Sequence, residues 1–157
     1  MSQAVFDIEC NNLIPELVTK VWCLVIKDLE TNEIFKYGPD SIEVGVRRLG
    51  TYNLLIGHNV ISYDLPVLSY LFSFHPIPET IDTLILSRLL NPDRIVPFGW
   101  KGTWEPHSLK AWGMRLDMPK VEWNKWDVWD EGMLHRCEQD VLINEKLYKV
   151  LYEELKE

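Results

Sequence analysis

Residues 4–9 alternate without a break, with Ala4, Phe6 and Ile8 on one face and Val5, Asp7 and Glu9 on the other. A period of two predicts a strand. It also puts both carboxylates on the same side of one sheet, within a few ångströms of each other. The rest of the strand is apolar, which suits the centre of a sheet. There, two like charges repel and lose solvation, so they need a cation. Oxygen ligands alone favour Mg²⁺ or Mn²⁺ over zinc. An exposed face at a sheet edge would explain the pair without any ion.

The remaining pattern predicts a mixed α/β sheet domain. Residues 20–28 read as a second strand, Thr31-Asn32 as a turn and Glu33 to Tyr37 as a third strand, an antiparallel start of three strands. Ser41 reads as the N-cap of a helix to about Leu49. Residues 53–58 are a short buried strand. A helix with Pro66 in its first turn follows and runs to about Phe74, where His75-Pro76-Ile77-Pro78 breaks it. Asp82 caps the next helix, which ends at Asn91-Pro92, and Ser108 caps another to about Leu116. Residues 117–129 are irregular, and a last helix spans roughly 130–155. The chain of 157 residues is long enough for one core, so one domain over 1–157 is expected.

The last helix holds the second anomaly. On a helical wheel Met133, Cys137, Ile143, Leu147 and Leu151 fall within about 60° of Asp140. A carboxylate in the middle of an apolar stripe needs backbone donors, an arginine or a metal. Arg88, Arg94 and Arg115 are candidate partners, but a metal shared with Asp7 and Glu9 answers both anomalies at once. Asp64, just after a strand and at a helix start, reads by itself as an ordinary cap.

Composition narrows the function class. The net charge is −8, which argues against a protein that simply coats nucleic acid. Net charge is −6 over 1–84, +3 over 85–125 and −5 over 126–157, so a mildly basic middle lies between acidic ends. The cysteines Cys10, Cys23 and Cys137 are scattered and odd in number, which suits a reduced cytosol and forms no zinc pattern. No apolar run is long enough to span a membrane, and no secretion signal is recognisable.

Asp7-Ile8-Glu9, then Asn59 to Asp64, then His135-x-x-x-x-Asp140, in this order, resembles the DnaQ-like (DEDDh) 3′–5′ exonucleases. The likeness covers residues 5 to 143. Each motif is short, and the ordered set is what makes it specific. Ile81 to Leu89 and His107 to Gly113 look like the proofreading exonuclease domain of phage family A DNA polymerases, here as a free-standing relative, phage-encoded and acting in host cytoplasm. The resemblance implies a ribonuclease H-like fold and two divalent cations, Mg²⁺ or Mn²⁺, held by Asp7, Glu9, Asp64 and Asp140. It implies His135 as general base. The polymerase domains carry a tyrosine four residues before the last aspartate; Arg136 stands there instead, and His135 has the spacing of the histidine subclass. On one straight helix His135 lies about 140° from Asp140, so the base role requires the chain there to be looped, bent or at a helix start.

The resemblance also implies that backbone around Cys10 to Asn12 approaches the terminal nucleotide. Leu13 wedges against the last base and Asn59 bonds the sugar-phosphate. Arg88, Arg94, Lys101 and Lys110 are candidates for guiding the strand. Of the seven tryptophans six lie between 100 and 129, and Trp100 and Trp104 are the better base-stacking candidates. His58, His75 and His107 show no metal-ligand spacing. The implied partner is single-stranded nucleic acid, DNA before RNA, with a DNA polymerase or replication protein as a further partner. Two alternatives stay open: an exoribonuclease, distinguished by a 2′-hydroxyl contact, and an inactive binding module, against which the full set of carboxylates and His135 argues.

Overall fold

The computed structural model describes residues 1–76, 78–101 and 105–157. Its centre is β1 (Gln3–Cys10), which runs antiparallel to β2 (Val21–Asp28); β2 pairs antiparallel with β3 (Ile34–Tyr37). On its other side β1 runs parallel to β4 (Leu54–Gly57), and β4 parallel to β5 (Glu79–Asp82). The sheet order is β3-β2-β1-β4-β5, a mixed sheet with the antiparallel three-strand start that the sequence predicts. The helices are α1 (Ile42–Leu49), α2 (Leu65–Phe72), α3 (Thr83–Leu90), α4 (Leu109–Arg115) and α5 (Glu131–Lys156).

The alternation in β1 sorts the core into two layers. Ala4, Phe6 and Ile8 join Leu24, Ile26 and Leu55 beneath Val46 and Leu49 of α1 and Val67 and Leu68 of α2. Val5 faces the other way, with Cys23, Val25 and Ile56, under Met133, Cys137 and Val141 of α5. Each such aliphatic side chain contributes about 1.5–3 kcal/mol when fully buried. Farther along α5, Ile143, Leu147 and Leu151 seat Leu109 and Trp112 of α4. Among the described residues no helix is long and apolar enough to cross a membrane.

Three local expectations change. Residues Glu79–Asp82 form a strand, although their pattern carries no strand signal, because β4 offers an open parallel edge that pairs Gly57 with Asp82. Ser41 does not cap α1 with its side chain; its hydroxyl donates to the Gly38 carbonyl at 3.4 Å. The helix after Pro66 ends at Phe72, where Ser73 turns left-handed (φ 53°). Asp82 and Ser108 do cap, accepting the N–H of Leu84 and of Ala111.

One detail of the pairing makes room for a site. β1 pairs with β4 only over Gln3–Val5, and β4 stops at Gly57. The second half of β1 therefore has an open edge on that side. A groove at the carboxyl ends of parallel strands is where open α/β sheets commonly bind ligands.

Candidate active site

Three elements deliver four carboxylates to that groove. Asp7 and Glu9 come from β1, on the face covered by α5, opposite Val25 and Cys23 of β2. Asp140 comes from the buried stripe of α5 and is 3% exposed. Asp64 comes from a wide π-type turn, Val60–Asp64, that joins β4 to α2.

That turn is built by two neighbours. Asn59 enters it left-handed at φ 62°. The Asp82 carboxylate accepts the N–H of Asn59 at 2.9 Å and of Ile61 at 3.0 Å, so the side chain that caps α3 also clamps the turn. At Gly57 a Cβ would collide with Cγ1 of Val60, so the close approach of the turn to the strand requires glycine. The result buries Asp64 to 3% exposure and aims Oδ2 at the open edge of β1, where it accepts the Ile8 N–H at 3.2 Å.

All four carboxylates line one cavity of about 460 Å³, together with His58, Asn59, Tyr63, Arg88, Lys120 and Arg136. Burial drives their acidities. Asp7 is held well above the ordinary carboxylate range by burial first, then by the charges of Glu9, Asp64 and Asp140. Asp64 is raised well above it, mainly by burial, against the pull of the Ile8 N–H. Glu9 is pushed up to about 7 by burial, with Arg136 opposing. Asp140 is raised by burial, with Lys120 and Arg136 opposing. Two ion pairs carry that opposition: Lys120 Nζ lies 3.4 Å from Asp140 Oδ2, and Arg136 Nη1 lies 3.5 Å from Glu9 Oε2. None of the candidate arginine partners pairs with Asp140: Arg88 lines the same cavity but pairs with Glu105, Arg94 pairs with Glu154 at 2.9 Å and Arg115 donates to the Ile95 carbonyl.

Asp140 Oδ1 is buried without a hydrogen-bond partner among the described residues. A buried carboxylate oxygen left bare beside three more carboxylates is a donor set lacking its acceptor, and hard divalent cations take such all-oxygen sets. The Cys137 thiol donates to the Asp7 carbonyl at 3.2 Å and lies 3.6 Å from Asp7 Oδ2, which helps to fix the Asp7 side chain.

His135 lies apart from this group. α5 is regular from Glu131 onward, with Asp130 as its N-cap, so the chain around 135 is neither looped nor bent and His135 stands one turn inside the helix start. His135 is exposed and does not line the cavity, and Arg136 takes the inward position. His58 does line it. His58 Nδ1 lies 2.9 Å from the Thr83 hydroxyl, which also reaches Asn144 Oδ1 and the Gly57 carbonyl. Burial holds the imidazole neutral, its pKa pulled down to about 3.

A second, more apolar cavity of about 680 Å³ adjoins the first and shares Ile8, Glu9, Tyr63 and Arg136 with it. Cys10, Asn12 and Leu13 line it, whereas Asn59 lines the carboxylate cavity. Leu13 is 90% exposed at its rim, and the Tyr63 hydroxyl donates to the Asn12 carbonyl, holding this segment in place. Burial pushes the Cys10 thiol up, so it stays protonated. Trp123 and Trp126 line it as well. Sequence reasoning favoured Trp100 and Trp104 for stacking; Trp100 lines neither cavity, and Trp104 lies outside the described residues. Of the proposed strand guides only Arg88 lines the carboxylate cavity; Arg94 pairs with Glu154 and Lys110 with Glu122. Lys120 was missed, since one lysine in an irregular segment carries no positional signal.

Solved structures share this architecture. Brucella melitensis NrnC matches with a TM-score of 0.72 at 22% identity, over 98% of this chain and 74% of its own. Its form with bound Mg²⁺ matches at 0.68 and 21%, over 98% and 73%. Zinc-bound E. coli exonuclease I in complex with single-stranded DNA matches at 0.60 and 14%, over 98% of this chain but 42% of its own, so this chain spans under half of that protein. The fold is ribonuclease H-like, shared with these proteins. No family model matches the sequence, and no curated protein does.

Proposed function

We propose that this chain is a metal-dependent 3′–5′ exonuclease that releases nucleoside 5′-monophosphates from single-stranded nucleic acid, DNA in preference to RNA. The observation that carries the reading is the convergence of Asp7, Glu9, Asp64 and Asp140 on one cavity, with a bare, buried oxygen on Asp140. These four side chains would hold two divalent cations, Mg²⁺ or Mn²⁺. Bound there, such ions lower the pKa of water and stabilise the attacking and leaving oxygens of an in-line displacement. A structure of NrnC holds Mg²⁺ and one of exonuclease I holds single-stranded DNA, which supports both the ion and the substrate class.

The chain's own residues do the rest. Asn59 reaches the sugar-phosphate from the carboxylate cavity. The backbone of Cys10 to Asn12 and the exposed Leu13 seat the terminal base in the apolar cavity against Trp123 and Trp126. Stacking on such rings is worth about 1–3 kcal/mol per base. His135 takes the proton of the attacking water, an assignment that rests on its spacing to Asp140. His135 is exposed on a regular stretch of α5, so this role requires the imidazole to reach the water from outside the carboxylate cavity when substrate binds.

The test is digestion of a 5′-labelled single-stranded DNA and its RNA twin with Mg²⁺, Mn²⁺ or EDTA, for the wild type, Asp7→Ala and His135→Ala. A metal-dependent ladder shrinking from the 3′ end and lost in Asp7→Ala is the expected result. Retained activity in His135→Ala removes the histidine from the mechanism. Faster loss of RNA reverses the sugar preference, and no cleavage of either strand refutes the enzyme reading.

A further inference from the structure

Three cationic side chains line the carboxylate cavity; Arg88 pairs with Glu105, which leaves Lys120 and Arg136 to be accounted for. Lys120 and Arg136 sit on Asp140 and Glu9, and both are largely enclosed, with side chains 22% and 16% exposed. Neither pair has the geometry of a permanent structural bridge. Both separations, 3.4 and 3.5 Å, are long beside the 2.7 Å of the buried Lys27–Glu145 pair between β2 and α5. Each cation touches one oxygen of its carboxylate and leaves Asp140 Oδ1 bare. Arg136 is also anchored independently of Glu9: its Nε donates to the Val121 carbonyl at 3.1 Å, and its guanidinium lies over the Trp126 ring at 4.8 Å. Losing Glu9 as a partner would leave it in place, in the lining common to the two cavities.

Resting on the metal-dependent reading above, we propose that Lys120 and Arg136 are exchangeable counterions. They neutralise Asp140 and Glu9 before the divalent cations bind, and bind backbone phosphate of the nucleic-acid strand afterwards. The charge argument runs in both directions. A divalent cation on Glu9 and Asp140 takes over the oxygens that the two side chains use, and like charge then repels them from those oxygens. Each is left with free N–H donors beside the place where the strand enters, and an arginine fork or a lysine ammonium suits a phosphate there. The exchange also keeps the cavity from holding four uncompensated carboxylates before metal arrives.

The experiment is calorimetric titration of Mn²⁺ into wild type, Lys120→Met and Arg136→Met at pH 8.5, without substrate. Each variant should bind Mn²⁺ about tenfold more tightly, because no ion pair has to open. With Mn²⁺ present, each should bind deoxythymidine 5′-monophosphate about tenfold more weakly. The salt dependence of oligonucleotide binding should become shallower, by about 0.7 in the log–log slope per cation removed. Wild-type or weaker Mn²⁺ affinity in folded variants overturns the proposal. Should a variant fail to fold, Mg²⁺ titration of the wild type followed at the Arg136 Nε–Hε resonance decides instead: a signal that moves on saturation supports the exchange, and an unchanged one overturns it. A wild type that binds no Mn²⁺ and cleaves nothing refutes the metal-dependent reading itself. A wild type that does both beside variants of unaltered affinity refutes only the exchange.

Discussion

Glu9→Gln should stabilise the metal-free protein at alkaline pH and leave it nearly unchanged at pH 5. The Glu9 carboxyl is pushed from its ordinary 4.5 up to about 7, chiefly by burial, and its side chain is 11% exposed. The folded state thus prefers the protonated form. Its stabilising contribution is fully present below 4.5 and is lost as pH rises to about 7, after which the loss is constant. A displacement of that size corresponds to about 3 kcal/mol. Glutamine keeps the shape and cannot ionise, so it escapes the loss.

A single wild-type pH curve would not reveal this, because His58 acts oppositely. Its pKa is pulled down to about 3, so the stability it lends holds above its ordinary 6.5 and is lost as pH falls below that. The difference between wild type and Glu9→Gln cancels the His58 contribution. For a chain of this size 1 kcal/mol moves Tm by about 2–4 °C. In EDTA the two melting curves should therefore separate by about 10 °C at pH 8.5 and close up at pH 5. Saturating Mn²⁺ should reverse the order, since the wild type alone keeps the full ligand set. Parallel curves, or a less stable variant at pH 8.5, would refute the argument that burial of Glu9 opposes its charge.

Other expectations follow from the packing. Gly57→Ala would drive a Cβ into Val60 and displace the turn that carries Asp64, costing about 2 kcal/mol by denaturant titration; an unaffected midpoint would mean that the turn adapts freely. Leu13→Ala, at a residue 90% exposed, should shift stability by less than about 0.5 kcal/mol yet raise KM for a single-stranded oligonucleotide several-fold; an unchanged KM removes the proposed wedge. Lys27→Met removes the 2.7 Å partner of Glu145, whose side chain is 11% exposed and keeps only the more distant, exposed Lys149 at 3.6 Å, and should cost about 3 kcal/mol. Lys36→Met, at an exposed pair with Glu138, should cost under about 1 kcal/mol, and equal losses would contradict the role given to burial.

Much of the fold is legible along the chain because periodicity and burial express the same physics. The strict alternation of residues 4–9 appears as a central strand with one face to α1 and α2 and the other to α5. The apolar wheel around Asp140 appears as the buried stripe of α5. The misfit of charges in those patterns marked Asp7, Glu9 and Asp140 as needing compensation, and they do meet in one cavity. Asp64 was visible only through its place in a motif; by itself it reads as a cap.

What the sequence could not express is which distant groups meet. β5 exists because β4 offers it an edge, so residues 79–82 need no pattern of their own. Lys120 reaches Asp140, and Trp123 and Trp126 wall the apolar cavity, through the path of an irregular segment that has no period to read. The regularity of α5 through residue 135 was likewise beyond a motif that spaces His135 from Asp140 but does not specify the backbone between them. It turns Arg136, rather than His135, toward the carboxylates. Local pattern determines which side chains must leave water, because burial is sampled residue by residue along a strand or helix. Tertiary structure decides which charges then share the resulting space, because Coulomb interaction depends on distance through the fold and not along the chain.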